Sequence, residues 1–170
     1  MFYLSEERGA IADLGYWVRS PLMSGNDLTV LSRERGVYRR IKSRYPKMQI
    51  CFAENSDDVE TVVRMHHRLQ KVFYTRHAAK NIHVLRFAHV KHIFIGTKET
   101  NWTRRFDKSY RAYDEIWLEE EFMIQRLRED IGDMVHLKIR LTRDALDDYH
   151  RSASPRQEDV FAGIIERKQG

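Results

Sequence analysis

The sequence predicts one compact domain of mixed α/β class, with α+β as the alternative, in which a small sheet of about three to five strands is covered by helices. Three observations carry that expectation. The chain has 170 residues, enough for one domain to bury a core without staples. Its composition, 42% hydrophobic and 32% charged with three Pro and eight Gly, is globular and free of long linkers. Apolar periods of helical and strand type also succeed one another along the chain, with no internal repeat.

Residues 1–25 read as an N-terminal arm holding a short helix at 11–18, followed by turns at Ser20-Pro21 and Ser24-Gly25. Asn26 or Asp27 is placed to cap a helix running to about Arg44, and Pro46 ends it. On its wheel Val30, Leu31, Tyr38, Ile41 and Tyr45 share one arc, flanked by Arg33, Arg40 and Arg44 on one side and Arg35, Arg39 and Lys42 on the other. The run 48–53, with Ile50, Cys51 and Phe52, predicts a strand buried on both faces. Asp57 and Glu60 have capping-box spacing and open an amphipathic helix to about Phe73. Residues 82–95 predict one long strand or two short ones, 97–111 a polar loop, and 113–131 a helix ended by Gly132. In 134–141, Val135, Leu137, Ile139 and Leu141 alternate with His136, Lys138 and Arg140, as on a strand. Short helices at 143–150 and 157–168 follow, so that 152–170 is assigned to a C-terminal helix.

Charge is distributed unevenly. Up to residue 112 there are 21 Lys/Arg against 11 Asp/Glu, and beyond it 9 against 14, which divides the net charge into +10 and −5. A field this lopsided favours an anionic partner. The segment 97–111 interleaves Lys98, Arg104, Arg105, Lys108 and Arg111 with Trp102 and Tyr110, and cations beside aromatic rings suit phosphates and unpaired bases. Arg33, Arg39, Arg40 and Arg44 on the early helix, with Lys138 and Arg140 on the late strand, extend the same expected surface. The primary expectation is therefore a nucleic-acid-binding protein, DNA or RNA being undecided.

Two further readings stand beside it. A metal-dependent nuclease or other phosphodiester hydrolase would draw on His66 or His83 as base and Glu120 as acid or ligand, since His66 and Glu120 interrupt apolar helix arcs. A divalent metal belongs to that alternative alone, and otherwise no cofactor is expected. His77, His83, His89 and His92 match no closed zinc spacing. The third reading is an interaction factor whose basic face meets an acidic protein, or a homodimer pairing that face with 114–121. One Cys excludes an internal disulfide, the start of the chain lacks a signal-peptide pattern, and no stretch has membrane-spanning length. A cytoplasmic location with no membrane partner follows as the expectation. Neither Gly-x-Ser-x-Gly, nor Gly-x-Gly-x-x-Gly, nor a P-loop occurs.

The stretch from Met48 through Cys51 and Asp57 to Glu60 resembles the opening strand and helix of GNAT acetyltransferases, over about a quarter of the chain, but without that family's Gly-rich pyrophosphate loop downstream. The spacing of His83, Phe94, Gly96 and Arg104 resembles GIY-YIG nucleases, with His83 and Phe94 where tyrosines belong. Arg76, His77, Gly96 and Thr103 likewise resemble tyrosine recombinases, with Phe106 in the nucleophile's place.

Overall fold

A computed structural model describes residues 1–6, 9–20, 28–96, 105–132 and 134–153. They form a single mixed α/β domain around a seven-stranded sheet in the order β3-β2-β1-β4-β5-β6-β7. The strands are β1 (Phe2–Leu4), β2 (Thr29–Ser32), β3 (Gln49–Phe52), β4 (Lys71–Tyr74), β5 (Lys91–Ile95), β6 (Glu115–Leu118) and β7 (Lys138–Leu141). Every neighbouring pair is parallel. Six α-helices are described: α1 (Ala10–Val18), α2 (Arg35–Arg44), α3 (Ser56–Met65), α4 (Ile82–Leu85), α5 (Glu121–Ile131) and α6 (Thr142–Ala153).

A parallel sheet needs crossovers, and covering both faces with them makes strands apolar on both sides. Phe2 and Leu4 of β1 pack with α1, α2 and α6, against Leu14, Trp17, Val37, Ile41 and Ala145. Tyr3, between them, joins the opposite layer with Val59 and Val63 of α3, Val84 of α4, and Met123 and Leu127 of α5. Helix α3 opens on a complete capping box, Asn55 with Asp58, two residues before the Asp57/Glu60 pair that the sequence suggests.

The sheet is larger than the three to five strands expected, chiefly for one reason. Thr29–Ser32, Lys71–Tyr74 and Glu115–Leu118 are strands that pattern reading merges into the adjoining helices. Residues 2–4 and 10–18 belong to the body of the fold and not to an arm, because β1 is an interior strand of the sheet and α1 packs on it. Residues 82–85 are helical rather than extended, only 138–141 of the alternating run is strand, and Val135 is fully exposed. The strand at 49–52 lies on the sheet edge and is half-exposed, not buried on both faces. The helix expected beyond residue 153 lies outside the described residues.

Candidate functional site at the carboxyl edge of the sheet

An open parallel sheet parts its loops where adjacent strands send their chains in opposite directions, leaving a crevice beyond the carboxyl ends. Here that place lies between β1, whose chain leaves through α1 toward β2, and β4, whose chain leaves toward β5. The first residues past these strands, Ser5 and Thr75, are buried. Gly9, at φ +74°, turns the chain into α1, and a Cβ there would overlap the Arg76 guanidinium. Arg76 Nε donates to Asp13 Oδ2 at 2.7 Å, and Asp13 is buried in the first turn of α1. A carboxylate there is favoured by the helix dipole, and it fixes the arginine over the glycine.

Arg33 follows β2 and is only 6% exposed. Its Nε donates to Ala53 O at 2.8 Å, Nη2 to Glu54 O at 3.0 Å, and Nη1 to Tyr3 Oη at 3.1 Å and His83 Nδ1 at 2.7 Å. All four acceptors are neutral, and among the described residues no carboxylate pairs with this guanidinium. A buried cation without a counter-ion is costly even when well hydrogen-bonded. Four of its five N–H groups are used, which leaves one on Nη2.

His83 is shaped by the same contact. Arginine only donates, so Nδ1 carries the lone pair and the neutral ring holds its proton on Nε2. Desolvation, then the charges of Arg33, Arg86 and Lys80, lower the His83 pKa from its ordinary value. Lys80 and Arg86 are themselves paired with Glu34 and Glu60, at 2.6 and 2.8 Å. Arg33 is therefore the cation in this group that lacks a compensating carboxylate. The spare Arg33 N–H and the His83 Nε2–H are two donors with no acceptor among the described residues.

On the β4–β5 side a hydrogen-bonded chain follows Arg76. Asn81 Nδ2 donates to Arg76 O and to Tyr113 Oη, both at 2.8 Å. Tyr113 then donates to His77 Nδ1 at 2.9 Å, and His77 Nε2 to Ser109 Oγ at 2.6 Å. Ser109 gives its proton to the exposed Asp107, whose pKa that bond lowers. Burial pushes the Tyr113 phenol well above its ordinary range, so it serves as a donor. Asn81 Oδ1 is buried and meets no partner among the described residues.

The structure divides the surface expected from sequence. Arg39, Arg40 and Arg44 are exposed on α2, beside β2 and β3. Arg105, Lys108 and Arg111 lie between β5 and β6, across the sheet and over its opposite layer. Arg33 is buried and spent on internal acceptors rather than open to solvent. Tyr110 is 4% exposed and stacks on His77 at 4.0 Å, so its ring is no platform for a base. Arg111 donates to Ile131 O, Arg105 stands 3.6 Å from Asp130, and Arg140 is tied to Asp148. Lys138 is exposed at the amino end of β7, Lys108 is exposed, and Lys98, Trp102 and Arg104 lie outside the described residues.

His66 and Glu120 do not meet. His66 follows α3 at the amino end of β2, its Nδ1 donating to Val62 O at 2.8 Å with Nε2 at 3.2 Å from Thr29. Glu120 is half-buried at the start of α5, past the carboxyl end of β6. Whatever either does, they are no acid/base pair. Among the described residues no three His, Cys, Asp or Glu side chains gather as metal ligands. No helix among them is long and apolar enough to cross a membrane.

Two clefts open at the amino ends of the strands. One, of ≈ 640 Å³, is lined by Thr29, Gln49, Met65, His66, Lys71 and Tyr149, among others. The second, of ≈ 470 Å³, lies around His89, Lys91, Asp114, Glu115 and His136. Lys91 already satisfies Glu115 at 2.6 Å, and neither cleft gathers a buried cation without a carboxylate. The carboxyl edge is thus the better candidate on both topology and electrostatics. No family model matches the chain, and neither does any curated protein or solved structure.

Proposed function

We propose that this domain binds a small phosphate-bearing anion at the carboxyl edge of its sheet, beside Arg33 and His83. The observation that carries the reading is the Arg33 guanidinium, 6% exposed and bonded only to neutral acceptors. An oxyanion accepting from its spare N–H and from His83 Nε2 would supply the missing negative charge, through charge-assisted bonds. The first six strands follow the order of dinucleotide-binding sheets, whose ligands lie at this switch point. The β1–α1 loop, however, has one glycine, Gly9, where that family uses three, so a dinucleotide is not the favoured ligand. A cytoplasmic setting fits the single free thiol, Cys51. The nucleic-acid reading keeps a separate support, the cationic face of α2.

Inorganic phosphate, pyrophosphate and a nucleoside monophosphate are the probes, followed by calorimetry and by the His83 ring resonances. Saturable binding of at least one is expected, with loss in Arg33→Met and weakening in His83→Gln, which leaves the arginine in place. Absence of binding at millimolar probe, or binding unchanged in both variants, overturns the proposal.

A further inference from the structure

Helix α2 carries a second, independent feature. Between Glu34 and Glu54 the chain has no carboxylate and six Lys/Arg. Five of them, Arg35, Arg39, Arg40, Lys42 and Arg44, are exposed on this one helix of ten residues. Val37 and Ile41 are fully buried and define its inner face. At 3.6 residues per turn, Arg35, Arg39 and Lys42 fall along one flank of the outer face and Arg40 and Arg44 along the other. Between the flanks lie Gly36 and Ser43, both exposed and both small. The outer face is therefore a shallow furrow walled by cations.

Among the described residues, carboxylates do little to neutralise Arg35, Arg39, Lys42 and Arg44. Arg35 reaches Glu54 at 3.3 Å with both side chains largely exposed, a pairing of small worth. Lys42 and Arg44 lie over the rings of Tyr38 and Tyr45, which orders their stems and leaves their charges unopposed. Like charges this dense repel one another, and a ligand with regularly spaced anions relieves that repulsion.

We infer that the outer face of α2 docks the phosphodiester backbone of a nucleic acid. The helix is about 15 Å long, which along one strand spans roughly four phosphates at about 3.4 Å each. An anionic membrane is the weaker match, because interfacial helices need an apolar face to insert and that of α2 is buried in the core. This surface is distinct from the Arg33 crevice, and either can fail without the other.

The test is fluorescence anisotropy of labelled single-stranded DNA, single-stranded RNA and duplex DNA across a salt series, with the intact chain. Arg39→Glu, Lys42→Glu and Arg44→Glu are combined in one variant. Its three side chains are exposed, and far-ultraviolet circular dichroism checks its fold. Arg64→Glu, Arg128→Glu and Arg143→Glu make a control of equal net charge. The wild type should bind at low salt, with the α2 variant weakened by about ten-fold or more and its salt slope reduced by about 2–3. The control should bind within about two-fold of wild type, as expected if local contacts and not bulk charge dominate. No binding at low salt overturns the inference, as does an equal loss in control and α2 variant. Binding confined to vesicles of anionic lipid overturns it as well.

Discussion

Replacing Arg33 by Met isolates the buried guanidinium while keeping most of the side-chain stem. Four hydrogen bonds disappear, from Ala53 O, Glu54 O, Tyr3 Oη and His83 Nδ1. Bonds from a charged donor contribute about 1.5–3 kcal/mol each, and buried acceptors left empty carry a further penalty. Against this, removing an uncompensated buried charge recovers several kcal/mol of desolvation. The difference is a net loss of about 2–4 kcal/mol, a sizeable part of the roughly 5–15 kcal/mol that holds a domain together. Urea unfolding at neutral pH should show a lower midpoint at unchanged slope. Phosphate then separates clamp from ligand site: at about 10 Kd it should stabilise the wild type by about 1.4 kcal/mol by mass action, and the variant not at all. A variant within about 0.5 kcal/mol of wild type would refute the energetic account of the clamp. Equal stabilisation of both proteins by phosphate would place the anion elsewhere.

Two further outcomes follow from the same edge. Gly9→Ala must adopt φ +74° and push Arg76 away from Asp13, so a loss of about 2–4 kcal/mol in urea unfolding is expected, and an unperturbed variant would contradict the Gly9–Arg76 packing. His83 and His92 both have lowered pKa values, with desolvation the leading cause, so the unfolded chain binds more protons just below the ordinary histidine pKa of 6.5. Stability should therefore fall as pH drops from about 7 through 6.5 toward their depressed folded values, and His83→Gln should flatten that slope; an unchanged slope in urea titrations would deny His83 its part.

The parts of the fold that sequence discloses are those whose period is undisturbed by a neighbour. The helix α3 stands out because apolar spacing and cap agree, and the strand β3 because its short apolar run is isolated. Strands β2 and β6 do not, because each is separated from the next helix by only two residues. Their doubly buried side chains then fall on the helix's apolar arc, and Val30-Leu31 joins Tyr38 and Ile41 in one false stripe. That merger also misplaces Arg33. On a continuous helix it flanks the apolar face in solvent, whereas past the end of a strand it lies buried in the crevice. The β1 triplet Phe2-Tyr3-Leu4 is too short to show a period at all, yet it forms an interior strand of the sheet, next to the central β4. A cue was available in Gly9, which breaks an apolar triplet from the helical pattern beginning at Ala10. Asn81 and Tyr113 gave no cue, since Tyr113 meets Asn81 across 32 residues and His77 across 36, and only the fold brings them together.

Part of the basic character of the first two-thirds of the chain is matched by its own carboxylates. Arg76 is taken by Asp13, Lys80 by Glu34, Arg64 and Arg86 by Glu60, and Lys91 by Glu115. Arg33 and, on α2, Arg39, Lys42 and Arg44 have no carboxylate partner among the described residues, and the two groups differ in kind. Arg33 is enclosed and fixed by four bonds, a geometry that on the proposed function would serve one small anion in a defined orientation. The α2 cations are exposed along the outer face of one helix, a geometry that on the docking proposal suits repeated phosphates without a unique register. Burial selects small ligands because each desolvated group must find its partner; exposure selects polymers because weak, screened contacts matter only when many act together. On these two proposals the same excess of positive charge would serve two ligand classes, and the distinction between them is made by solvent access, which a net charge does not record.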